Sequence, residues 1–122
     1  MRETEQENRV KPVVWVGTSH EDLKEFPSDV QDEMGYALYV AQLGDKHPKA
    51  KPLKGFSGVM EIRSDYASDT YRAMYATKIG DAIYVLHCFQ KKSKRGIATP
   101  KREIDLIKRR LKIAQDLAKE ER

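Results

Sequence analysis

The chain of 122 residues has one cysteine, Cys88, one tryptophan and no long apolar run. A lone cysteine excludes an internal disulfide framework and fits a reducing compartment. It also offers zinc no ligand set, because no second cysteine and no histidine stand at zinc spacing from it. The apolar stretches fall well short of the ~20 residues that a membrane span needs. The opening residues, MRETEQENRVKP, lack the apolar segment of a signal peptide. Neither G-x-x-x-x-G-K-[ST] nor G-x-G-x-x-G occurs, so the common nucleotide-binding loops are excluded. The expectation is a soluble cytoplasmic protein with no metal, no cofactor and no membrane partner.

What the chain does have is charge, unevenly placed. Charged residues make up 34% and hydrophobic residues 39%, the balance of one domain with a very polar surface. The net charge of +4 conceals an asymmetry. Residues 1–90 hold 11 Lys and Arg against 14 Asp and Glu, whereas residues 91–112 hold 10 against 2. Such local density points to a polyanion partner. A solvated basic helix face has the same composition.

Residues 1–11 are polar and aperiodic and read as an arm before a single domain over 12–122. PVVWVGT (12–18) reads as a strand ending at Gly17. SHEDLKEF (19–26) opens a helix, with Ser19 as its expected N-cap. In residues 27–44, Val30, Met34, Ala37, Leu38 and Ala41 recur at helical spacing. Residues 45–58, rich in Pro and Gly, read as a loop. Three alternating segments follow. VMEIRS (59–64) sets Met60 and Ile62 against Val59, Glu61 and Arg63. TYRAMYATK (70–78) sets Arg72, Met74 and Ala76 against Tyr71, Ala73 and Tyr75. AIYVLHCFQ (82–90) follows Gly80-Asp81, a hairpin turn. Thr99 and Pro100 then open a helix from Lys101 to about Lys119, with Ile104, Ile107, Leu111, Ala114 and Ala118 on one face. The order β-α-α-β-β-β-α predicts an α+β fold. Its small, mainly antiparallel sheet carries two N-terminal helices on one face and adds a C-terminal helix, with the opposite face left partly open.

Four motifs stand in order: Glu61-Ile62-Arg63, Tyr71-Arg72, Leu86-His87-Cys88-Phe89-Gln90-Lys91-Lys92-Ser93, and Thr99-Pro100-Lys101-Arg102-Glu103-Ile104. With these, and with the HPKAKPLKG segment before them, the sequence resembles the RelE/ParE toxin superfamily, in its phage-derived, HigB-like branch. The resemblance covers residues 13–112. It implies a toxin of a type II toxin–antitoxin module that cuts mRNA on the ribosome without a metal. It also implies a cognate helix-turn-helix antitoxin and a toxin–antitoxin hetero-oligomer. ParE-like members share the fold but inhibit DNA gyrase without cutting RNA. A phage-derived accessory protein that binds nucleic acid or protein is a third reading, and fold alone does not separate the three.

Metal-free RNA cleavage needs a base for the ribose 2′-hydroxyl, an acid for the leaving 5′-oxygen, and cations on the phosphate. Arg63 and Arg72 suit the phosphate, because a guanidinium fork binds its oxygens bidentately. Lys91 and Lys92 point to opposite faces of a continued strand, so one of them is expected at the site. Lys94, Arg95, Lys101 and Arg102 extend the positive track as RNA-binding residues. His87 is the titratable group suited to acid–base work, and a core histidine in the run Tyr84–Phe89 is the plainer reading. RelE-type members carry lysines where this chain has Val59 and Glu61. Glu61 is therefore either a general base or an ion-pair partner of Arg63 or Arg72.

Overall fold

Period-two alternation in the second half of the chain folds into the centre of a sheet. The computed structural model describes residues 10–91 and 99–120. Among these, the strands are β1 (Val13–Trp15), β2 (Ala50–Pro52), β3 (Val59–Tyr66), β4 (Asp69–Ala76) and β5 (Ile83–Lys91). The helices are α1 (Ser19–Lys24), α2 (Ser28–Gln42) and α3 (Lys101–Glu120). The strands lie in the order β1-β5-β4-β3-β2. β1 runs parallel to β5, and the other pairs are antiparallel. The molecule is an α+β fold built on a mainly antiparallel sheet, as the sequence predicts.

Each face of the sheet has its own core. On one, Val30, Met34, Ala37, Leu38 and Ala41 of α2 pack with Leu23 and Phe26 against Ile62, Ala73, Tyr75, Ile83 and Val85. On the other, Ile107 and Ala114 of α3 pack against Val59, Met74, Leu86 and Phe89. The face expected to stand partly open is thus covered by the C-terminal helix. The apolar stripe of α3 explains this. Left in water, each large side chain of the stripe would forgo about 1.5–3 kcal/mol of burial, and this sheet face offers it apolar partners.

Two local expectations are corrected. The segment over 45–58 is not all loop, because Ala50–Pro52 pairs with Met60–Ile62 as an edge strand. Three residues are too short to show a period, and Lys51 and Pro52 suit an exposed edge. Helix α1 starts one residue earlier than expected, with Thr18 at the N-cap and no side-chain capping bond. Ser19 is instead buried and donates its hydroxyl to the Val85 carbonyl at 3.1 Å.

The β4–β5 ladder contains a bulge. Met74 pairs with His87 and Tyr75 with Val85, leaving Leu86 as the extra residue. Arg110 of α3 donates to the Leu86 carbonyl at 3.0 Å and to Thr18 Oγ1 at 3.1 Å. Its guanidinium also lies over Gly17, where a Cβ would come within 2.7 Å of it. Arg110 belongs to the basic cluster in the sequence, yet it ties α3 to the sheet. Before β1, Lys11 donates its amide to the Gln42 carbonyl at 3.0 Å, and Gln42 Nε2 donates to the Lys11 carbonyl at 2.6 Å. Among the described residues, no helix is long and apolar enough to cross a membrane.

Candidate functional site

Strand register places most of the candidate catalytic residues on the face shared with α3. Arg63 of β3 stands directly opposite Arg72 of β4, and Arg72 opposite Phe89 of β5. Glu61 and His87 both pair with Met74 from its two sides, and Lys91 pairs with Thr70. Residues opposite one another in an antiparallel ladder share a face. Glu61, Arg63, Arg72, His87 and Lys91 are therefore neighbours on one side of the sheet.

The arrangement is anchored by a buried ion pair. Arg72 is 5% exposed. It donates to Glu61 Oε2 at 2.8 Å and to Thr99 Oγ1, just before α3, at 3.2 Å. Glu61 thus takes the ion-pair role, and its partner is Arg72. Arg63 stays half-exposed, with its Nε 3.6 Å from Asp65. Two guanidinium groups side by side repel, and the Glu61 and Asp65 carboxylates offset this.

Lys91 is 9% exposed on the same face. Its ammonium is held below the usual lysine value, first by desolvation and then by the charges of Arg72 and Arg63. Glu61 acts in the opposite direction. Burial and like charges both disfavour the cation, so this lysine releases a proton more readily than a solvated one.

His87 is 6% exposed. Its Nε2 lies 2.6 Å from Oε1 of Glu103, in the first turn of α3. The ring stacks on Phe89 with centroids 5.0 Å apart and planes 19° apart. Its Nδ1 is buried and, among the described residues, has no hydrogen-bond partner. Thr99 and Glu103 lie four residues apart, so the start of α3 touches Arg72 with one and His87 with the other.

Not every candidate joins this group. Lys101 and Arg102 are 87% and 88% exposed at the side chain, with Lys101 paired to Asp105 at 3.0 Å. They face solvent beside the site rather than into it. Lys92, Lys94 and Arg95 lie outside the described residues.

Three residues that sequence reasoning did not assign to the site belong near it. Lys51 stands opposite Glu61 on the edge strand. With Pro48, Lys49, Arg63 and Asp65 it lines a shallow cavity of about 220 Å³. Its signal was the HPKAKPLKG segment. Thr99 and Glu103 were visible in the T-P-x-x-E motif but carried no role. Among the described residues, no group of three His, Cys, Asp or Glu side chains could hold a metal ion.

Taken together, this sheet order, the helix on each face and the cationic face beneath α3 fit the RelE-like class of α+β domains. Compared with known families, residues 21–112 match the model described as phage-derived protein Gp49-like (DUF891). The chain belongs to this phage-derived family, which is RelE-like and toxin-like. No curated protein and no solved structure matches it.

Proposed function

We propose that the chain is a HigB-like toxin of a type II toxin–antitoxin module, a ribosome-dependent mRNA endonuclease that needs no metal. The observation that carries this reading is the grouping of Arg63, Arg72, Lys91 and Lys51 around Glu61, with the His87 imidazole on the same face. These groups match the demands of phosphodiester cleavage by the ribose itself.

In this reading the entering RNA uncovers Nδ1 of His87, which is buried in the free protein, and Nδ1 accepts the proton of the 2′-hydroxyl. The 2′-oxygen attacks the adjacent phosphorus, and the bond from phosphorus to the 5′-oxygen breaks with its electron pair on that oxygen. Lys91, a readier donor than a solvated lysine, protonates it. The products are a 2′,3′-cyclic phosphate and a 5′-hydroxyl. Arg72 and Arg63 stabilise the charge that develops on the phosphate oxygens. Glu61 aligns the Arg72 fork, and Lys51 lengthens the cationic strip along the RNA backbone. The Arg72–Thr99 contact gives way as the phosphate enters. The protein acts in the cytoplasm on translated mRNA. A cognate helix-turn-helix antitoxin holds it inactive in a hetero-oligomer, acidic where it meets the basic segment.

Induced expression tests the reading, with mRNA 5′ ends mapped and gyrase supercoiling assayed in parallel. Growth arrest with cuts inside translated mRNA is the expected result. Arg72→Lys keeps a charge but loses the fork, and should lower cleavage by roughly 10²-fold. Intact mRNA together with inhibited supercoiling would instead identify a gyrase inhibitor.

A further inference from the structure

Glu103 makes a short polar contact with the imidazole that the cleavage chemistry uses. We infer that Glu103 is the positioning residue of His87: its carboxylate accepts the Nε2 proton and leaves Nδ1 as the atom that exchanges a proton with RNA. The inference rests on the nuclease reading above for its catalytic meaning.

Three observations support it. A carboxylate only accepts hydrogen bonds, so at 2.6 Å the Nε2 atom must be the donor. The neutral ring then carries its lone pair on Nδ1, the tautomer a base at that atom requires. The ring plane is held from one side by stacking on Phe89, so the carboxylate and the stack together fix its rotation. Finally, Nδ1 is buried without a partner among the described residues. Such an orphan is costly, and an atom that RNA uncovers and then uses as its base accounts for it.

The pair also joins two parts of the fold. Glu103 is on α3 and His87 on β5. The tautomer of a strand residue is therefore set by the docking of the C-terminal helix. When His87 takes the proton, the imidazolium forms beside an anion already in place. A positioned carboxylate beside a catalytic histidine works in this way without itself gaining the proton.

The test uses the full-length protein and two readouts. Nitrogen-15 NMR of the histidine ring reports which nitrogen carries the proton, whether or not RNA is cut. Cleavage of ribosome-bound mRNA gives kcat and KM. The wild-type ring should carry its proton on Nε2. Glu103→Gln, nearly isosteric, should lower kcat by about 10²-fold with KM unchanged. Asp116→Asn, the same charge change farther along α3, should change neither constant. A melting temperature close to wild type for Glu103→Gln separates the effect from a loss of fold. A wild-type ring with its neutral proton on Nδ1, or wild-type kcat in Glu103→Gln, overturns the inference. A wild-type chain that cuts no RNA overturns the nuclease reading, while an Nε2 proton lost or relocated in Glu103→Gln in the same samples still supports the positioning contact.

Discussion

Arg72 keeps almost none of its surface in water and reaches Glu61 at 2.8 Å. A charge in that position depends on its partner. Glu61→Ala should destabilise the fold by about 3 kcal/mol, the scale of removing one partner of a buried ion pair. Urea titration measures it, and a change under about 0.5 kcal/mol would make the pair incidental to folding. Cys88 is the opposite case, a reactive group made inert by its surroundings. Burial, reinforced by Asp22 and only partly offset by Arg110, pushes its thiol up to about 12. The thiolate is the nucleophile, so near neutral pH the native protein should resist a thiol reagent. The unfolded chain should react at once, and rapid labelling of the native state would contradict the burial.

Two turns show what the elements require of single residues. The β3–β4 hairpin closes through Ala67 and Ser68, both with positive φ, at 51° and 74°. Such a two-residue turn favours Asn-Gly. Replacing the pair by Asn-Gly should raise stability by about 1 kcal/mol or more, because a left-handed residue with a Cβ costs about 1–2 kcal/mol. A higher urea midpoint at unchanged slope is the expected readout. Gly17 is the converse. Its φ is +61°, and an added Cβ would meet the Arg110 guanidinium at 2.7 Å. Gly17→Ala should displace Arg110 from the Leu86 carbonyl and loosen α3 from the bulge. A lower melting temperature that Arg110→Ala does not lower further would show that both changes break one contact.

Across the whole molecule, stability should peak between an acid and an alkaline decline. Glu33 of α2 accepts from Lys49 and from Ser64 of β3, and these contacts hold its carboxyl below the usual value. Its contribution is therefore present above the ordinary glutamate range, about 4.3, and is lost as pH falls through the lowered value. Tyr75 and Cys88 are each pushed by burial up to about 12. Their protons are bound more tightly in the folded state, so their contribution holds below their ordinary values and is lost as pH rises toward 12. Lys91 runs the other way. Its lowered value opposes folding near neutral pH, and the opposition fades as pH approaches the ordinary lysine value. Thermal melts across pH should show a shallower acid limb in Glu33→Gln and a shallower alkaline limb in Tyr75→Phe. Limbs identical to wild type would assign the declines to other groups.

The amino-acid sequence alone determined which residues share a face. Strict alternation put Val59, Glu61 and Arg63 opposite Met60 and Ile62, and a strand can satisfy that pattern in only one way. The stripes of α2 and α3 were legible for the same reason at helical period. Tertiary structure alone decided where those faces went. An apolar stripe requires a partner but does not name one, so the docking of α3 over the second sheet face, and with it the burial of Arg72, was not written locally. The pairing of His87 with Glu103 depends on helix docking and on a bulge at Leu86 that resets the β5 register, and neither leaves a periodic trace. Lys51 joined the site through a three-residue edge strand too short to alternate. The basic segment announced charge but not its use, since Arg110 within it turns inward to a backbone carbonyl that only the folded bulge leaves for it.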